Sequence, residues 1–131
     1  MGLDFKVVCP PATQPSWHRL TTFLREQGLS ATLRMIDGQL AFPDEAPSED
    51  WRELRVSLSG GMVTVRRNVV GFELVIWGNA DAALLAAWRT LAWAIAELSG
   101  GVVETDNGSQ NACQFRQSSA MIDFDRKGET S

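Results

Sequence analysis

Residues that carry chemistry are scarce in this chain. Its 131 residues include one histidine, His18, and two cysteines, Cys9 and Cys113. A lone histidine cannot build a paired-histidine metal centre, and no second His, Cys or carboxylate stands at i+4 from it. The two cysteines lie far apart, share no CxxC spacing and make no disulfide framework, so both are expected as reduced thiols. Basic residues are also few, with twelve Lys and Arg against sixteen Asp and Glu and a formal net charge of −4. That balance opposes nonspecific nucleic-acid binding, which depends on neutralising phosphates. The only adjacent basic pairs are Arg66–Arg67 and Arg126–Lys127. Asp81, Arg89 and Glu97 interrupt the long apolar run from Ala80 to Leu98, which argues against a membrane span. The opening Met1-Gly2-Leu3-Asp4-Phe5-Lys6 lacks the charged and apolar regions of an export signal. The expectation is a cytoplasmic protein with neither a membrane nor a nucleic-acid partner.

Motifs for catalysis and cofactors are missing too. Gly60-Gly61 opens a strand and Gly100-Gly101 closes a helix, so neither aims helix N-terminal amides at a phosphate. There is no GxSxG and no HExxH. Cys9 and His18 can be drawn together as a nucleophile pair, but neither has electropositive neighbours to lower a thiol pKa. Asp44, Glu45, Glu49 and Asp50 supply hard oxygen ligands, yet they lack the DxDxDG register, and Pro43 and Pro47 interrupt them. They read as a solvated loop. No catalytic residue, metal ligand or cofactor is assigned.

What is present is patterning. With 44% hydrophobic and 21% charged residues, the chain has a globular composition and enough length to bury a core. A strand at Phe5–Cys9 stops at Pro10-Pro11. A helix capped by Thr13 or Ser16 carries Trp17, Leu20, Phe23 and Leu24 and ends at Gly28. Ala31–Ile36 and Gln39–Phe42 flank Asp37-Gly38, a hairpin dipeptide. Pro43–Asp50 is a polar loop that Trp51 docks onto the core. Strands around 54–58, 62–67 and 72–77 alternate with period two. Asn79 caps a long helix with Asp81 in its first turn. Val102–Glu104 is a short strand, Asp106–Asn111 a loop, Gln114–Phe124 an added edge strand and Asp125–Ser131 a frayed tail.

This order, β-α-β-β-β-β-β-α-β, implies an α+β two-layer sandwich. A mainly antiparallel sheet of about five to seven strands carries two helices on one face, as a ferredoxin-like variant. Residues 1–124 form a single domain and 125–131 a disordered tail. The inner face takes Val7, Leu54, Val56, Val63, Val65, Phe72, Leu74 and Ile76 against Trp17, Leu20, Phe23, Leu84, Trp88, Leu91 and Ile95. Arg55, Thr64, Arg66, Glu73, Val75 and Trp77 then point away, with Arg55 or Arg66 paired to Glu73.

The long helix is the most informative segment. At about 100° per residue, Leu84, Trp88, Leu91, Ile95 and Leu98 gather into one stripe. The opposite side holds Ala82, Ala86, Arg89, Thr90, Trp93 and Glu97. A tryptophan among small residues on a face that should be wet suggests a partner, most simply a second copy related by a twofold axis; the alternatives are Arg89 stacked over the ring or the segment Gln114–Phe124 folded back across it.

The run from Ala96 to Asp106, a helix ending in a glycine pair before a short strand, is similar in style to small bacterial α+β proteins. Some immunity proteins of toxin–immunity pairs are among them, and the likeness implies no site residue. The functional expectation is a noncatalytic protein-binding module of immunity, adaptor or chaperone-like type. Its contact residues are Trp93, Arg89, Glu97, Trp77, Arg55 and Arg66, and it binds a protein partner or a second copy. The alternative is a small-molecule binder or enzyme with a site between helices and sheet.

Overall fold

Period-two alternation along the middle of the chain becomes one antiparallel sheet of eight strands. The computed structural model describes residues 2–42, 45–58, 61–77, 81–105 and 108–118. In chain order the elements are β1 (Gly2–Val8), a 3-10 turn (Pro11–Thr13), α1 (Trp17–Glu26), β2 (Thr32–Ile36), β3 (Gln39–Leu40), β4 (Glu53–Leu58), β5 (Gly61–Arg67), β6 (Gly71–Trp77), α2 (Ala82–Ser99), β7 (Val102–Thr105), β8 (Gly108–Asn111) and α3 (Ala112–Ser118). Across the sheet the order is β3-β2-β4-β5-β6-β1-β7-β8. The first strand therefore sits inside the sheet, between β6 and β7, with its backbone paired on both sides.

Local chemistry sets the element ends. The Ser16 hydroxyl accepts the Arg19 N–H at 3.1 Å and caps α1. Asp37 and Gly38 both have positive φ, at 48° and 85°, which closes the β2–β3 hairpin. The Asp37 carboxylate also accepts the N–H groups of Arg52 and Glu53, each at 2.8 Å, tying that turn to the start of β4. Asp81 caps α2 by accepting the Leu84 N–H at 2.9 Å, and Gly100, at φ 70°, ends it in the left-handed region. Asn79, expected as that cap, lies outside the described residues.

Strand register decides which side chains share a face. Phe5, Leu74, Val65, Leu54 and Ile36 stand opposite one another along β1, β6, β5, β4 and β2. Val63, Val56 and Leu33 form a second such row, and all of these side chains are buried or half-buried. The helices cover this face. Phe5 stacks on Trp88 of α2 at 4.0 Å between ring centroids and meets Phe115 of α3 edge-on at 5.2 Å. The buried Trp88 indole N–H donates to the Leu74 carbonyl at 2.9 Å, so this ring leaves no donor unpaired. α1 joins through Leu20 and Leu24, both buried, and through Phe23, whose ring lies 5.4 Å from that of Trp93. Every strand residue expected on the inner face is buried; of the helical residues, Trp17 and Phe23 are half-buried.

Four expectations are corrected. The sheet has eight strands rather than five to seven, because Gly108–Asn111 pairs with β7 where a loop was expected. Its Gly-Ser-Gln-Asn sequence has no β-propensity, and register with β7 alone makes it a strand. There are three α-helices rather than two. Residues 112–118 form α3 where an edge strand from Gln114 was expected, and 119–124 lie outside the described residues. Asn111 and Gln114 exchange side-chain-to-backbone hydrogen bonds at 3.0 and 2.8 Å, a capping box that starts α3.

The fourth concerns Trp93, which is 3% exposed. Phe23 of α1 packs against its ring, and the Arg116 guanidinium of α3 lies 4.8 Å from the ring centroid. Thr90 is buried as well, while Glu97 and Ala82 remain exposed and Arg89 is half-buried. The face expected to need a second copy is thus covered from within the chain.

Two substitutions test this packing. Leu91 is fully buried at the centre of α2, and Leu91→Ala is expected to cost about 2–5 kcal/mol through the cavity it leaves. Trp93→Glu is expected to lose about 3 kcal/mol or more, since it removes a buried ring and places a carboxylate beneath Phe23. Urea unfolding measures both. A Trp93→Glu midpoint equal to that of the original protein would show that α1 and α3 do not close over this position.

Candidate functional site

The face of the sheet opposite the helices is organised in rows by the same register. Glu104, Lys6, Glu73, Arg66 and Glu53 stand side by side on β7, β1, β6, β5 and β4, an alternation of charge across five strands. Arg66 Nε donates to Glu53 at 3.0 Å, and its Nη1 lies 3.6 Å from Glu73. Its pKa is raised, chiefly by the hydrogen bond to Glu53. Nearly half of the Arg66 side chain is exposed, so these pairs set geometry more than stability. The expected pairing of Arg66 with Glu73 is present, and Glu53 is the closer partner.

The next row runs Asp4, Val75, Thr64, Arg55, Met35 and Leu40 over β1, β6, β5, β4, β2 and β3. Thr64 and Val75 are buried in its middle, whereas Leu40 is 87% exposed. Two residues beyond the Thr64–Val75 pair come Met62, 47% exposed, and Trp77, 58% exposed. One end of the face therefore carries large apolar side chains in water, and the other carries the charge row. No described helix packs on it. An indole and a thioether left exposed beside a polar border match the composition of interface anchors.

The structure brings together only part of the expected contact set. Trp77, Arg55 and Arg66 share this face. Trp93, Arg89 and Glu97 lie on α2, which packs on the other side of the sheet. Met62, Met35, Leu40, Lys6 and Glu53 were missed. The alternation of Asp4 and Lys6 with Phe5 and Val7 was visible in the chain, but the strand order that lines them up with Glu73 and Arg66 was not. The pair Arg66–Arg67 splits across the sheet. Arg67 turns inward and donates to the Trp51 carbonyl through Nε at 3.0 Å and Nη2 at 2.7 Å. It also donates to the Glu49 carbonyl, with its guanidinium 4.3 Å from the Trp51 ring centroid. Burial lowers its pKa. It fixes the loop that leads into β4 and buries Trp51.

The remaining candidates stand apart from one another. His18 is exposed and lines a groove of about 220 Å³ with Trp17, Thr21, Arg25, Ala31, Leu33, Glu45 and Ala46. A second depression, about 280 Å³, lies over Lys6, Asn68, Val70, Gly71 and Glu104 at the end of β1 and β6. Among the described residues no group of three His, Cys, Asp or Glu gathers around a common point. Asp50 is turned to its own loop, where the Ser48 hydroxyl donates to it at 2.7 Å and lowers its pKa. Among the described residues no helix is long and apolar enough to cross a membrane.

Comparison with known proteins finds no matching family model, curated protein or solved structure. The functional reading therefore rests on this geometry.

The cysteines give a direct chemical check. Cys9 is buried and its thiol pKa is raised, chiefly by desolvation, while Cys113 is exposed. Iodoacetamide at mildly alkaline pH is expected to modify Cys113 first and to reach Cys9 only after unfolding, because the thiolate is the reactive form. The folded state holds the Cys9 proton more tightly than the unfolded chain does. This stability contribution is therefore complete below the ordinary thiol pKa and is lost as pH rises through the folded value. Equal alkylation rates under native conditions, read by mass spectrometry, would contradict this placement of Cys9.

Proposed function

We propose that this protein is a noncatalytic protein-binding module. A helical layer closes one face of the sheet and the other face docks a partner. The observation that carries this reading is that no described helix covers this face, where Trp77 and Met62 stand in water at one end and an ordered row of charges lies at the other. A fully desolvated Trp is among the strongest interface anchors, and a charged border supplies register and steering more than affinity.

The charges also favour one kind of occupant. On this face Asp4, Glu53, Glu73 and Glu104 are balanced by Lys6, Arg34, Arg55 and Arg66, so the overall attraction or repulsion is set by the whole chain, which carries −4. Two copies brought face to face would repel, whereas a protein with a basic surface would be drawn in. The fitting partner is therefore a different, basic protein with an apolar pocket for Trp77. Immunity proteins, adaptors and chaperone-like proteins all work through such surfaces, and the cytoplasmic setting expected from the sequence suits any of them.

Site-specific photocrosslinking in the host cell tests this. Ser57 lies beside Met62 on the docking face, and Arg19 is exposed on α1. A photoreactive residue at 57 is expected to capture one protein, and the same residue at 19 is not. Trp77→Ala should cut the adduct at least about tenfold. Because Trp77 is largely exposed, that substitution should leave the urea midpoint nearly unchanged. Adducts of equal yield from both positions, or none at 57, would overturn the proposal.

A further inference from the structure

The groove beside α1 lies on the helix-covered side, away from the docking face. His18, Thr21 and Arg25 recur along one side of α1 at three- and four-residue steps, and Trp17 adds an aromatic wall. Ala31 and Leu33 contribute apolar surface from the start of β2, and Glu45 and Ala46 enter from the loop. The groove's members come from three separate segments, 17–25, 31–33 and 45–46.

The two opposite charges that line it do not cancel one another. Arg25 and Glu45 both line the groove, yet no ion pair joins them, and Arg25 has no side-chain partner among the described residues. Glu45 uses one carboxylate oxygen, which accepts the Phe42 N–H at 3.1 Å. Its other oxygen is left for a ligand. An anion bound here would pair with Arg25 but crowd Glu45, and a cation would do the reverse. Only a molecule with both charges close together satisfies both walls, since covering an unpaired charge is costly. At about 220 Å³ the groove is also smaller than a site for a drug-sized ligand.

We propose that this groove binds a free α-amino acid with an aliphatic side chain. The ligand carboxylate meets Arg25 and His18, its ammonium meets Glu45, and its side chain lies on Trp17, Ala31 and Leu33. Both protein charges stay partly in water, so the affinity is of millimolar order.

Two-dimensional amide NMR with L-leucine, 4-methylpentanoate and 3-methylbutylamine tests it, since the last two each lack one of the charges. Leucine is expected to give saturable shifts at His18, Thr21, Ala31 and Ala46, and each analogue to bind about threefold to fivefold more weakly. Arg25→Gln should weaken leucine and the carboxylate but leave the amine no weaker, and tighter where its repulsion by Arg25 is relieved. Glu45→Gln should weaken leucine and the amine but leave the carboxylate no weaker, and tighter where its repulsion by Glu45 is relieved. Both positions are exposed, so both variants should fold. Absence of saturable shifts with leucine, an analogue that binds as tightly as leucine, or variants that do not separate the two analogues would each overturn the proposal. None of these outcomes bears on the docking face.

Discussion

A helix that is apolar on nearly every side must be surrounded, and this requirement organises the molecule. α2 buries Leu84, Ala87, Trp88, and every residue from Thr90 to Ala96. A sheet can cover one side of such a helix and no more. The flanks need partners of their own, and α1 and α3 supply them through Phe23 and Arg116, which meet the same Trp93 ring from two elements. The small residues Ala87, Ala92, Ala94 and Ala96 are all buried, which fits close approach of neighbouring backbone on several sides. Trp88 ties the helix to the sheet by stacking on Phe5 and by its hydrogen bond to Leu74. Phe115 meets the same Phe5 ring edge-on, so α3 is anchored to that cluster.

Once the helices gather on one face, the opposite face has to be stable in water by itself. Its alternating charge row does part of this, because each long polar side chain lies beside one of opposite sign. Burial of Thr64 and Val75 keeps the centre of that face out of solvent. The large apolar side chains that stay exposed on this face, Trp77, Met62 and Leu40, lie at its periphery. A sheet whose only purpose was to support the helices would gain nothing from an indole in that position, since its apolar area in water contributes no stability. Among the described residues, helices close one face of the sheet and none closes the other.

Much of this was legible in the chain. Alternation located β4, β5 and β6, Asp37-Gly38 located the hairpin, and the stripe 84/88/91/95 located the sheet-facing side of α2, because each signal is local and tied to a backbone period. The outward direction of Arg55, Arg66 and Trp77 followed from the same period. What stayed hidden depended on contacts between distant segments. Gly108–Asn111 has no strand-forming side chains and is held by β7 alone. α3 is only seven residues long, too short for a periodic stripe, and its one clear signal was the Asn111–Gln114 capping box. Cover for Trp93 from the C-terminal segment was one alternative open in the sequence, but no local signal could choose it over a second copy, and the cover from Phe23 of α1 depends on a contact between distant segments. The charge row could not be assembled before the strand order was known, since Lys6 and Glu73 are distant in sequence and adjacent in space.

The central claim is that the molecule has one closed face and one open face, with a tryptophan marking each. Hydroxyl-radical footprinting resolved to single residues measures this directly, on the purified protein and again in an extract of its host. The account predicts fast oxidation of Trp77 and Met62 in the purified protein, slow oxidation of Trp88 and Trp93, and protection of Trp77 alone among the tryptophans in the extract. Oxidation of Trp93 as fast as Trp77 in the purified protein, or equal reactivity of Trp77 in both settings, would contradict it.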